Sequence, residues 1–229
     1  MSQKATLSQT SDISIMNIDD GKVNVFSVEM IDTVNSLLKK VPKDKGALII
    51  TGRPGFFSAG FDLKTFASGD MKTIQNMAEG GYKLLETLYD FERPIVMAAS
   101  GHAVGLGVFL LCCADYRIGA KGDFKMHANE VVNGMVIPSQ MMALAASRIL
   151  PTHLNRMFIN GEAYSIKDAA QTGLLDELAN PKDLLKAAKK RAELLCLCQH
   201  PFYKETKRIA RAKTLEKMKQ GSKASPFTN

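Results

Sequence analysis

Apolar positions along this chain fall into two rhythms. Val28, Met30, Ile31, Val34, Leu37, Leu38 and Val41 recur every three or four residues, the spacing of one helix face, and Ser27 stands where an N-cap belongs. Residues 13–18 (ISIMNI) and 22–27 (KVNVFS) read instead as short strands around the turn Asp19-Asp20-Gly21. A short buried strand follows over 46–52 (GALIITG), then a loop over 53–70 with glycines at 55, 60 and 69. The spacing predicts a helix over 71–91, a strand over 93–100, a glycine turn over 101–107, a buried helix over 108–114 and a strand over 115–120. Residues 122–138 read as irregular and 139–150 as a helix. Ser165 is expected to cap a helix ending at Gly173, and two or three helices finish the chain. Strands alternating with helices predict a layered α/β domain, with no internal repeat or low-complexity tract.

Composition narrows the class. The 229 residues are 45% hydrophobic and 23% charged, an ordinary globular balance. One stretch imitates a membrane span, because Pro94–Ala114 carries no formal charge for 21 residues. Its Ser100, His102 and glycines at 101, 105 and 107 favour a strand, a turn and a buried helix, so no membrane partner is expected. The N-terminal ten residues lack the apolar core of a signal peptide. The four cysteines, Cys112, Cys113, Cys196 and Cys198, form no CxxC and no cluster with histidine, so no metal or redox site is expected and a reducing, cytoplasmic setting fits.

The net charge of +7 is unevenly spread. Residues 180–229 hold 13 Lys/Arg against 4 Asp/Glu, a local +9, which leaves 17 against 19, or −2, for the rest. The chain therefore divides into an expected core over 1–180 and a basic helical region over 181–229. A solvated helical face accounts for the basic region better than nucleic acid does, since no RNA-binding motif accompanies it.

The candidate chemistry lies in two loops and one carboxylate. Residues 57–64 (FSAGFDLK) and 101–109 (GHAVGLGVF) each join a short apolar strand to an expected helix. Glycine permits close backbone approach, and a helix N-terminus offers free N–H donors. Two such turns that converge would make an oxyanion hole. Further on, His127–Ser147 contains a single carboxylate, Glu130, in an otherwise apolar stretch. A carboxyl buried there would be pushed toward the pKa range of a general base.

The segments FFSAGFDLK, IVMAASGHAVGLGVFLLCCADYRIGA and FKMHANEVVNGMVIP resemble, in order and spacing, the signature segments of the crotonase superfamily, the enoyl-CoA hydratase/isomerase family. The resemblance covers roughly residues 12–215. It implies a spiral of ββα repeats with a helical C-terminal region used in trimer formation, as a homotrimer or dimer of trimers. It implies an acyl-CoA substrate, a place in fatty-acid metabolism, and no cofactor, since coenzyme A is part of the substrate. The backbone N–H groups of Phe61 and Leu106 would hold the thioester oxygen, with leucine at 106 where the family usually has glycine. Ala59, Gly60, Asp62, Leu63 and Lys64 would line the coenzyme A region, Asp62 also capping the next helix, and Gly105, Phe109 and Met135 would border the acyl group.

Hydratases of that family resemble each other in two glutamates, which here correspond to Phe109 and Glu130. The dienoyl isomerases place an aspartate eight residues after the glutamate, where this chain has Pro138. One glutamate, in an Asn-Glu pair like Asn129-Glu130, is similar to the Δ3,Δ2-enoyl-CoA isomerases. The expectation is therefore an isomerase in which Glu130 removes a C2 proton and returns it at C4. The alternatives are a hydratase-like (lyase) or other crotonase reaction on an unusual acyl-CoA, or a non-catalytic CoA- or RNA-binding protein. His102 and His127 are expected to have no catalytic role, Asp115 to hydrogen-bond a backbone turn, and Met135, Met141 and Met142 to fill core space.

Overall fold

The computed structural model describes residues 4–223, so residues 1–3 of the expected core and 224–229 of the expected basic region lie outside the described residues. The chain opens with β1 (Ala5–Thr10) and β2 (Ile13–Ile18), then β3 (Val25–Phe26) and α1 (Val28–Leu38). β4 (Ala47–Gly52) is followed by β5 (Gly55–Ser58), β6 (Gly60–Phe61), α2 (Leu63–Ala67) and α3 (Met71–Tyr89). Then come β7 (Ile95–Ala99), β8 (Gly101–Val104), α4 (Leu106–Cys113), β9 (Tyr116–Ala120) and β10 (Lys125–His127). α5 (Ser139–Ala146), α6 (Pro151–Leu154), β11 (Tyr164–Ser165), α7 (Ile166–Ala169), β12 (Glu177–Ala179), α8 (Leu184–Cys196) and α9 (Phe202–Lys223) complete it.

The strands form one two-stranded pair, β3 with β6, and two larger sheets. One has the order β1-β2-β4-β7-β9-β12, the other β11-β10-β8-β5. The chain thus passes β4 to β5, β7 to β8 and β9 to β10, each time from the larger sheet to the smaller. This repeated step is the spiral α/β architecture expected from the family resemblance. All pairs within the large sheet are parallel except the β1–β2 hairpin, which turns at Ser11 with φ +53°. Parallel strands covered on both faces need near-continuous apolar runs, and Ile95–Ala99 is buried throughout.

Local chemistry explains the helix starts. Ser27 accepts from Met30 N–H, Asp62 from Lys64 N–H, and Ser165 from Asp168 N–H, each satisfying an orphan donor of a first turn. Two expected elements need correction. Residues 101–107 are not simply a turn, because Gly101–Val104 forms β8 between β5 and β10. Its glycine content hid the strand. Residues 22–27 contribute only the two-residue β3, since side-chain oxygens of Asp20 capture the N–H groups of Lys22, Asn24 and Val25 in a tight loop. The apolar stretch 94–114 is β7, the half-buried β8 and α4, and among the described residues no helix is long and apolar enough to cross a membrane.

The basic region is partly internal, which corrects the expectation of a solvated face. Lys207 and Arg211 of α9 are buried and both reach Asp115, each at 2.8 Å. Asp115 also accepts from Ile95 N–H at 2.7 Å, the backbone bond expected of it. Arg208 pairs with Asp90 at 3.2 Å and Lys204 with Glu92 at 3.3 Å. The cations of α9 therefore pin it across the ends of α3 and α4, while Leu215 and Met218 enter the core beneath it.

Candidate active site

The two glycine turns meet. Gly60 has φ +85°, and a Cβ placed on it would lie 2.8 Å from Val104 O and 3.1 Å from Leu106 N. Only glycine fits both that dihedral and that approach. Gly105 likewise has φ +53° and begins α4 with no side-chain cap. Leu106 N–H therefore belongs to the uncapped first turn of a helix, where no intrahelical acceptor exists. On the other turn, Asp62 N–H donates to Phe26 O at 3.4 Å. Amides alternate in direction along an extended strand, so the preceding Phe61 N–H is turned away from β3. The two turns thus lie in contact, and both Phe61 and Leu106 line the cavity beside them.

Glu130 is carried to the second turn. Gly105 N–H donates to His127 O at 2.8 Å, tying the segment after β10 to the second glycine turn. Glu130 then begins a single 3-10 turn over Val131–Asn133, and its own carbonyl accepts from Asn133 N–H at 3.0 Å and Met135 N–H at 2.8 Å. Its side chain points back so that Oε1 would lie 3.5 Å from a Cβ on Gly105. The residue is 8% exposed, and Oε2 is sealed from solvent with no hydrogen-bond partner among the described residues. Burial, only partly offset by a hydrogen bond from its own backbone N–H, pushes its pKa up to about 7. A carboxyl held there can accept and return a proton near neutral pH.

A cavity of about 350 Å³ opens on this carboxyl. Of the residues expected from sequence, Ala59, Phe61, Leu63, Gly105, Leu106, Met135 and Glu130 line it. Gly60 lies buried beneath the wall and Asp62 caps α2, while Lys64 is exposed on that helix. Phe109 does not line the cavity: it is fully buried, its ring 5.3 Å from that of Phe158. The position that the family resemblance equates with a second hydratase glutamate is thus taken up by core packing. His127 Nε2 pairs with Gly161 O at 2.8 Å and His102 Nδ1 accepts from Lys125 N–H, so neither reaches Glu130. Met141, expected in the core, is buried but also borders the cavity. Sequence reasoning missed Phe66 and Tyr82 on the wall. Gly81 was the one available signal for the latter, since a side chain there would collide with the Phe61 ring.

Among the described residues, no group of three or more His, Cys, Asp or Glu side chains could hold a metal ion.

Comparison with known proteins places this geometry. The family model for enoyl-CoA hydratase/isomerase matches residues 8–225. A carnitinyl-CoA dehydratase from Salmonella typhi is 26% identical over 199 residues, covering 85% of this chain and 75% of that protein. A crystal structure of a probable enoyl-CoA hydratase from Mycobacterium tuberculosis superposes with a TM-score of 0.93 at 31% identity, covering 96% of this chain and 94% of the other. A second structure of that mycobacterial protein, described as an enoyl-CoA isomerase, gives a TM-score of 0.92 at 30% identity, covering 98% of both chains. With two glycine turns in contact and a buried carboxyl beside the second of them, the chain belongs to the enoyl-CoA hydratase/isomerase family and has the crotonase fold.

Proposed function

We propose that the protein is an isomerase that converts 3-enoyl-CoA to 2-enoyl-CoA. The observation that carries this reading is that Glu130 is the one carboxyl among the residues lining the cavity, with a pKa raised to about 7. Glu130 takes the C2 proton of the bound thioester. Negative charge then spreads onto the thioester oxygen, where the N–H groups of Phe61 and Leu106 would receive it. The double bond moves from C3–C4 to C2–C3 as the same carboxyl returns the proton at C4. One group suffices because the acid formed in the first step is the acid needed in the second. Hydration would need a second group to handle water, and Phe109 supplies none.

A second reading, enoyl-CoA hydratase or the reverse dehydration, draws support from the names of the Salmonella and mycobacterial relatives. The two separate in one experiment. Wild type and Glu130→Gln are each given a 3-enoyl-CoA and a 2-enoyl-CoA. The isomerase reading expects turnover of the first substrate only, lost in the variant. Efficient hydration of the second would refute it.

The wider expectations go with this reading: no cofactor beyond substrate coenzyme A, no nucleic-acid partner, a cytoplasmic setting for four free thiols, and a homotrimer or dimer of trimers. Leu194, Leu197, Phe202 and Ile209 lie exposed on and between α8 and α9 and offer a seam for assembly. Light scattering would test it, with three or six times the 25.0 kDa chain mass expected and a monomer refuting it.

A further inference from the structure

The cavity wall contains three side chains able to hydrogen-bond: Glu130, Asn129 and Tyr82. The rest is aliphatic, aromatic or glycine. Tyr82 sits in the middle of α3, 6% exposed, with the edge of its ring toward Phe61 and the centroids 6.2 Å apart. Its neighbour Gly81 leaves room for Phe61 to pack against α3. Its hydroxyl pairs with no described group. Burial first, and then the nearby charge of Glu130, push the phenol up to about 12, so it stays protonated and remains a donor at any working pH.

An O–H in such a wall penalises a purely hydrocarbon ligand. Solvent can satisfy the hydroxyl while the cavity is open, but an alkyl chain displaces that solvent and offers nothing in return. An oxygen on the incoming chain removes the penalty and adds a bond. Sites built around a buried hydrogen-bonding group reject the analogue that lacks the matching atom more strongly than apolar pockets reject a change of size.

We propose that Tyr82 is a specificity-determining residue that donates a hydrogen bond to an oxygen substituent on the acyl chain, so that the preferred substrate is an oxygenated acyl-CoA. This deepens the isomerase reading and, for turnover, rests on it. Glu130 and the two turns handle the thioester end, and Tyr82 reads the chain.

The test compares wild type with Tyr82→Phe on 3-hexenoyl-CoA and on its analogues hydroxylated at C5 or C6. Wild type is expected to favour one hydroxylated thioester by about 10- to 100-fold in kcat/KM. The variant should lose that preference, the ratio of kcat/KM for the hydroxylated and plain thioesters falling to about one. Titration calorimetry with saturated hexanoyl-CoA and the corresponding hydroxyhexanoyl-CoAs reads the same preference without turnover. If wild type binds but turns nothing over, the isomerase reading falls while the binding preference still decides the role of Tyr82. No preference in wild type would overturn the proposal. So would an equal loss on all substrates in the variant with a displaced pH profile, which would make Tyr82 a positioning residue for Glu130.

Discussion

Replacing Glu130 with glutamine should abolish turnover and yet stabilise the fold. The carboxyl titrates near 4.5 when free and at about 7 in place, pushed up by burial. The difference of about 2.5, at 1.36 kcal/mol per unit, means that ionising Glu130 inside the protein costs about 3 kcal/mol of stability. The folded state binds the proton more tightly, so stability is unaffected below pH 4.5, falls as pH rises from 4.5 to 7, and stays low above. Glutamine has the same shape and no charge to desolvate. Its unpaired amide costs about 1 kcal/mol, which leaves a net gain of about 2 kcal/mol above pH 7. For a chain of this size that corresponds to roughly 4–8 °C in Tm. Thermal and urea unfolding of both proteins from pH 4.5 to 8.5 would measure it. A stability difference independent of pH, or a wild type more stable than the variant at pH 8, would refute the reasoning.

Three further outcomes follow from the same geometry. The isomerase kcat/KM should rise about tenfold per pH unit below pH 7 and level off above it, since the base must be ionised; a profile flat from pH 5 to 8 would exclude Glu130 as the base. Gly105→Ala places a Cβ 3.3 Å from Asn129 Oδ1 and 3.5 Å from Glu130 Oε1 at φ +53°, so it should cost about 1–3 kcal/mol in urea unfolding and about 100-fold in kcat. Asp115→Asn strips the buried cations Lys207 and Arg211 of their counter-charge and should cost about 3 kcal/mol, read from the urea midpoint, with a residual activity that tracks the folded fraction.

The parts of the fold that sequence disclosed were those set by local rules. Ser27, Asp62 and Ser165 announce helix starts because capping needs only a side-chain oxygen two or three residues before a free N–H. The isolation of Glu130 in an apolar stretch was equally visible, and its burial follows from that company. Elements that depend on distant partners were harder to see. Strand β1 has only Ala5 and Leu7 as apolar residues and exists through its pairing with β2. Strand β8 is glycine-bearing, and Gly101 is required because a side chain there would run into Gly55 of the neighbouring strand, a contact between residues 46 positions apart. Tyr82 looked like any core residue of an amphipathic helix. Only the folded arrangement brings α3 against the cavity.

The clamp on Asp115 has a consequence for how the chain is made. Its cationic partner Arg211 lies 96 residues further along. At about 5–20 residues per second, a ribosome supplies Arg211 roughly 5–20 s after Asp115. During that interval the sheets and glycine turns can form, but the groove that receives Leu215 and Met218 is bare and the carboxylate lacks its ion pairs. The nascent chain therefore passes through a period in which an apolar surface beside α3 and α5 is open to chaperones or to other unfinished copies. That interval closes when α9 docks.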